Sequence, residues 1–394
     1  MKMKKYILII LFVQSCLLLP AQSTYRYLSL DINKMEQTKK AIEKGDPIAT
    51  NYFKEIKHNA DYILTQKPYS VTFKSQIPPS GDKHDYISIG PYWWPDSSKP
   101  DGIPYIRKDG HVNPKRSKYS DPNSLHKLNT SIHTLGIAYY ITNDDKYVIC
   151  ANKLLYVFFI DPKTRMNPNL NFGQFVPGMN QGRQFGIIET TGFRELLEGV
   201  ALLSDSKSWS QKNFKQLKLW MRNYLNWLTN SSLGIKERNA RNNHGTHYDE
   251  QCIAISLFIG NVEETKKIIK EYTIPRLESH IKPDGSQPNE LSRTKSWNYT
   301  NMNLDGFVKV ALMAEKIDID LWHYQKNGQT YIKSMIDWFI PYLRKEKLWK
   351  WKQIHKESIT RIQPVLELAA DRYDDDSYME VIKNFQTIHE NIVF

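Results

Sequence analysis

The sequence predicts an all-α protein, an incomplete (α/α) toroid or barrel whose long loops carry the active site. Apolar residues recur at steps of three and four along most of the chain, while strand-like alternation is scarce. Two long stretches rich in Pro, Gly, Asn and aromatic residues interrupt that pattern. Mid-length helices joined by loops pack as stacked pairs. A toroid is the form of that packing able to present one large groove. No sequence repeat marks the pairs.

The chain begins with a basic stretch, Lys2, Lys4 and Lys5, followed by an apolar run from Tyr6 to Leu19. Pro20-Ala21-Gln22 then offers a cleavage site after Ala21, so residues 1–21 are expected to be a signal peptide. The run is short for a membrane span and Pro20 ends it. Cys16 would suit a lipid anchor, but Leu17-Leu18-Leu19 continue the apolar run where a lipoprotein turns polar, which favours ordinary cleavage. The protein is therefore expected outside the inner membrane, in the periplasm. Residues 22–394 are expected to form one catalytic domain, since no linker divides them.

Helical patterns cover roughly 34–65, 124–158, 246–259, 262–273, 304–316, 329–345, 357–370 and 376–390. Phe193, Leu196, Leu197, Val200 and Leu203 line one helix face, and Phe214, Leu217, Met221, Tyr224 and Leu228 line another. Residues 66–123 and 161–189 resist this reading. Loops of that length in a compact domain usually act as lids or binding loops. Cys150 and Cys252 are too few for a disulfide framework and lack metal spacing, so two buried free thiols are expected rather than a bridge.

The net charge of +12, or +9 without the leader lysines, suits a polyanionic partner. No basic arm, zinc-finger or RNA-recognition pattern points to nucleic acid. Combined with export, the charge favours an acidic polysaccharide. The 10 Trp, 23 Tyr and 15 Phe fill the core for the most part, yet flat aromatic faces also suit sugar rings.

Two segments carry the chemistry. Arg241-Asn242-Asn243-His244-Gly245-Thr246-His247-Tyr248 lies where a loop enters a helix. Glu290-Leu291-Ser292-Arg293-Thr294-Lys295-Ser296-Trp297-Asn298-Tyr299 follows the turn-like Pro283-Asp284-Gly285-Ser286. Read separately, each also fits a plain role: a capping Asn with a satisfied His, or a surface Arg with a core Tyr.

Together, however, they resemble the alginate lyase superfamily, the helical-toroid lyases of mannuronan and related uronans. The resemblance rests on Asn243-His244, on Arg293 followed by Tyr299, and on Tyr-Trp-Trp-Pro-Asp at 92–96. It extends to Pro100-Asp101-Gly102, to Asn129 and His133, and to Gly182-Arg183 followed by Glu189. It spans roughly 60 to 370 and is nearer the Bacteroides-type branch than the shorter founding enzymes. It implies β-elimination on a polyuronate, most readily mannuronate-rich alginate, leaving an unsaturated uronate at the new non-reducing end.

Such a reaction removes the C5 proton beside a carboxylate and expels the oxygen at C4. Masking the carboxylate charge lets the developing enolate spread onto its oxygens. Asn243 offers amide N–H groups, His244 an imidazole N–H and Arg293 a charged fork. Tyr299 is the candidate base and acid, with Arg293 expected to favour its phenolate. His244 as base with Tyr299 as acid is the competing assignment, for sugars of opposite C5 configuration.

Tyr92, Trp93 and Trp94 are candidates to stack on sugars or close a lid, unless they serve packing. Asn129 and His133, four apart on one helix face, either line the groove or are structural. Arg183 pairs with a neighbouring sugar carboxylate or merely with Glu189. No metal or organic cofactor is expected, because protein donors suffice. A hydrolase using two of Glu189, Glu290 and Asp249 is a second reading. A non-catalytic glycan-binding protein is a third.

Overall fold

Helix boundaries follow caps and breakers more closely than the apolar rhythm does. The computed structural model describes residues 27–355 and 361–383, so the expected signal peptide lies outside the described residues. The pattern expected over 34–65 is two helices, α1 (Ile32–Glu43) and α2 (Pro47–Leu64). They are separated at Gly45, which takes φ +77°, and restarted by Asp46, whose side chain caps Ala49 N–H. Likewise 124–158 is α3 (Asp121–Thr142) and α4 (Asp145–Leu155), broken at Asn143 in a left-handed conformation. A π-helical turn at Tyr156–Ile160 extends α4.

Then come α5 (Phe193–Leu203), α6 (Gln211–Asn230), α7 (Ser232–Arg238) and α8 (Asn243–Ile259). The stretch from 262 is longer than expected: α9 (Val262–Ile268), a π turn, and α10 (Ile274–His280). A short α11 (Pro288–Leu291) leads to α12 (Ser296–Glu315), which starts two turns earlier than its apolar pattern. The set closes with α13 (Tyr331–Leu343), α14 (Ile362–Tyr373) and α15 (Ser377–Lys383).

These helices form an incomplete (α/α) toroid. α3, α5, α8 and α12 pack side by side as an inner arc, with α4, α6, α9 and α13 as outer partners. α3 and α5 touch backbone to backbone: a Cβ on Gly199 would meet the Ile132 carbonyl oxygen at 2.4 Å. A larger side chain there would push the two inner helices apart. One continuous apolar core runs from Leu28 to Ile382 and includes the faces expected for α5 and α6. Cys252 is buried, Cys150 is only half-buried, and both are free thiols.

α8 and α12 run in the same direction. Thr246 bonds Asn303, and a Cβ on Gly306 would meet the His247 ring at 3.1 Å. Their N-terminal ends therefore open on one rim. The two long loops build the facing wall, pinned by short pairings. β1 (Ile87–Ile89) runs parallel to β4 (Phe172–Phe175), and β2 (Trp93–Trp94) pairs with β3 (Ile106–Arg107). Among the described residues no helix is long and apolar enough to cross a membrane.

Candidate active site

The rim of the toroid takes its chemistry from the first turn of α8. Asn242, not Asn243, is the cap, its side chain accepting from the backbone N–H of His244 at 3.2 Å. That leaves Asn243 and His244 inside the helix with their side chains at its positive end, where an anion is favoured. The entering loop is fixed from below. Arg276 on α10 donates to the Arg238 and Ala240 carbonyls and to the buried carboxylate of Asp249.

Each of the two candidate donors is held by a buried acid. Asn243 donates its backbone N–H to Glu290 Oε1 at 2.5 Å and its Nδ2–H to Oε2 at 2.7 Å. Asn243 Oδ1 is buried with no hydrogen-bond partner among the described residues. Burial pushes the Glu290 carboxyl up, against the pull of the Asn243 bonds, Arg293 and His244. His244 Nδ1 lies 2.5 Å from Glu237 Oε1 at the end of α7. A carboxylate there accepts from Nδ1–H, which leaves Nε2 as the free edge of the ring. Phe185 packs edge-on against that ring at 4.9 Å.

Tyr299 sits in the first turn of α12, half-buried, and its hydroxyl lies 2.8 Å from that of Tyr92. The Arg293 guanidinium covers the Tyr299 ring at 3.9 Å from its centre. The sequence reading expected this cation to favour the phenolate and to fork a sugar carboxylate. The geometry differs on both counts. Burial, then the hydrogen-bonded Tyr92, hold the Tyr299 phenol well above its ordinary value and outweigh Arg293. The fork itself is committed to Asp109, with bonds of 2.9 and 3.3 Å. Burial alone would raise the Asp109 carboxyl, but bonds from Arg293 and Thr294 pull it well below the usual range.

The wall opposite belongs to the 92–113 loop. Backbone bonds from Lys108 to Tyr92 and from Asn113 to Pro91 hold it, and Asn113 Nδ2 donates to the Trp93 carbonyl. Arg183 lies over both Trp93 and Phe185, 5.4 and 5.1 Å from the ring centres. Its Nε and Nη2 donate to Gln174. It does not pair with Glu189, whose carboxylate accepts from the Tyr86 and Ser88 hydroxyls instead. Burial, reinforced by Arg107, lowers the Arg183 pKa to about 10.

These contacts close a circuit. It passes from His244 to Phe185, Arg183 and Trp93, along the chain to Tyr92, then to Tyr299 and Arg293. From there it returns through Glu290, which feels the Arg293 charge, to Asn243 and His244. The two distant sequence segments thus meet around one patch of the groove.

Three expected residues stand apart from the circuit. Trp94 turns back onto its own loop, donating its indole N–H to the His111 carbonyl beneath the Lys108 ammonium. Asn129 packs on Gly192, where a Cβ would meet its Nδ2 at 2.4 Å, and its Oδ1 is buried with no hydrogen-bond partner among the described residues. His133 is lowered by burial beside Glu195 and Arg194. Arg194 bonds Glu250, which bonds His247, so this layer reaches α8 one turn inward of His244. Glu237, Asp109 and Phe185 were not singled out from sequence.

The three acids considered for hydrolysis are all committed: Glu189 to Tyr86 and Ser88, Glu290 to Asn243, and Asp249 to Arg276. No three His, Cys, Asp or Glu side chains among the described residues converge as a metal-binding group.

A family model described as alginate lyase matches residues 70–349. The chain belongs to the alginate lyase family. It is thus a polysaccharide lyase. The crystal structure of an alginate lyase from Bacteroides ovatus is 35% identical, covering 92% of this chain and 95% of that one with a TM-score of 0.85. Alginate lyase A1-III from Sphingomonas species A1 is 14% identical, covering 89% and 90% with a TM-score of 0.56, and shares the toroid. A variant of alginate lyase A1-III complexed with a tetrasaccharide superposes with a TM-score of 0.55 at 14% identity, covering 82% and 88%. No functionally curated protein matches the sequence.

Proposed function

We infer that this lyase cleaves alginate, preferring mannuronate-rich stretches, by β-elimination at the patch enclosed by Asn243, His244, Tyr92 and Tyr299. The observation that carries the reading is the Tyr299 hydroxyl, hydrogen-bonded to Tyr92 and linked through Arg293 and Glu290 to the amide of Asn243. The uronate carboxylate sits at the N-terminal end of α8. It takes the remaining Nδ2–H of Asn243, a side chain closed to solvent in the free enzyme, while a proton on His244 Nε2 would add a second donor. As C5 loses its proton, charge moves onto those oxygens, so the donors bind the transition state more strongly than the substrate.

Tyr299 as phenolate takes the C5 proton. The C5–H electrons become the C4=C5 bond, the C4–O bond breaks, and the leaving oxygen recovers the proton from the phenol. Base and acid then act from one face, as mannuronate requires. Glucuronate shares its C4 and C5 configuration and differs at C2, so a glucuronan would satisfy the same phenol. Guluronate, inverted at C5, needs a base on the other face, and His244 Nε2 is the group available there.

Residues 1–21 direct export, placing the enzyme where an extracellular polymer reaches it. Purified protein incubated with polymannuronate, polyguluronate and glucuronan should raise ultraviolet absorbance fastest on polymannuronate as the conjugated double bond forms. No absorbance change on any of the three overturns the reading.

A further inference from the structure

Residues 345–352 read Lys-Glu-Lys-Leu-Trp-Lys-Trp-Lys, four lysines against one glutamate with two indoles between them. The reaction centre uses none of them, yet this strap is fastened to the catalytic segment. Ser296 donates its N–H and hydroxyl to the Lys352 carbonyl, and Ile354 N–H bonds the Thr294 carbonyl. The Gln353 amide bridges Trp297 N–H and Asn298. It therefore runs alongside the stretch between Arg293 and Tyr299.

The two indoles have different tasks. Trp349 is the anchor: it donates to the Ser296 hydroxyl, stacks on Phe339 and meets Trp297 edge-on at 4.9 Å. Trp351 instead faces Trp338, ring centres 5.3 Å apart, with Tyr342 at 5.9 Å. These three rings, Lys347, Lys350, Ser286 and two carboxylates, Asp284 and Asp337, line a cavity of about 540 Å³, within the range that holds a small ligand. The Lys350 ammonium hovers 5.2 Å over the Trp351 ring, and neither lysine has a carboxylate partner among the described residues. Of the two acids, Asp337 is already neutralised by Lys333 and bonded by the Tyr378 hydroxyl, and Asp284 accepts from the Ser286 N–H at 3.0 Å.

Aromatic faces for the C–H surface of a pyranose, together with two unpaired ammonium groups for a carboxylate, match an acidic sugar. We propose that this cavity is a distal subsite that grips a uronate residue of the same polymer, beyond the sugars flanking the bond that is cut. The proposal rests on the polyuronate reading above. It makes the enzyme sensitive to chain length, because only oligomers long enough to reach from Tyr299 to Trp351 engage both places.

Two variants test it: Trp351→Ala, and the double change Lys347→Gln with Lys350→Gln, whose exposed side chains leave the core untouched. Wild-type turnover of polymannuronate checks the polyuronate reading by itself; the subsite is read from ratios between variant and wild type. In the lysine variant, KM for the polymer should rise about three- to tenfold at unchanged kcat. KM for a trimannuronate should stay the same, and Trp351→Ala should shift the polymer in the same direction. If neither lysine-variant KM moves, or if polymer and trimer shift together, the subsite does not exist.

Discussion

Glu290 offers the sharpest separation between holding the site and holding the fold. Its two oxygens accept from the Asn243 backbone and from its side chain, at 2.5 and 2.7 Å, inside a region closed to solvent. Glu290→Gln keeps the shape but swaps one acceptor for an NH2 group, so one buried Asn243 donor now faces another donor. Charge-assisted hydrogen bonds are worth about 1.5–3 kcal/mol each. If the side-chain bond is the one lost, the Asn243 amide turns toward its unpartnered oxygen and stops pointing a donor at the uronate.

That energy, lost only as charge builds on the carboxylate, lowers kcat about 10- to 150-fold and kcat/KM equally. Stability changes far less, because Gln also removes a charge that burial already disfavours. Initial rates on polymannuronate, beside thermal melts of both proteins, check this. A kcat within twofold of wild type would show that Glu290 does not orient Asn243 and would refute the reasoning.

Three further outcomes are expected, two from the same geometry and one from the sequence of the first residues. Burial and Tyr92 keep the Tyr299 phenol protonated in the free enzyme, so kcat/KM should climb about tenfold per pH unit through neutral into alkaline pH; a rate that does not rise into alkaline pH would take the base role from Tyr299. Arg276→Met leaves Asp249 buried without its partner and should cost about 3–5 kcal/mol, read from denaturant unfolding; a loss below 1 kcal/mol would contradict the clamp on the α8 entry loop. The protein recovered from its native host should have an intact mass that begins at Gln22, whereas retained Met1 would contradict cleavage after Ala21.

How much of this was legible in the sequence differs between helices and contacts. The apolar faces of α5 and α6 were: α6 buries one stripe and alternates with solvent, while α5, an inner helix with no exposed residue, still spaces its large apolar side chains at steps of three and four. α8 and α12 were legible only in their later turns. They are inner helices buried nearly all round, and their first turns at Asn243 and Ser296 carry polar groups for the site instead of an apolar rhythm. The breaks at Gly45 and Asn143 were written in turn residues, but periodicity ran on across them.

The Asn-His and Arg-Tyr pairs were visible as local motifs. Their partners were not: Tyr92 reaches Tyr299 across 207 positions, and Asp109 reaches Arg293 across 184. Asp109 also explains why Arg293 was misjudged. Its charge is shared with an acid that no local pattern announces, so its pull on the Tyr299 phenol falls short of the cost of burial.

In the proposed reaction one phenol both takes the C5 proton and returns it to the leaving oxygen. Tyr299→Phe removes that oxygen alone and leaves the ring under Arg293. Double-bond formation on polymannuronate should fall at least a thousandfold in this variant while the melting temperature and polymer binding hold. A folded Phe variant that still turns over polymannuronate at a tenth of the wild-type rate or faster would contradict that assignment.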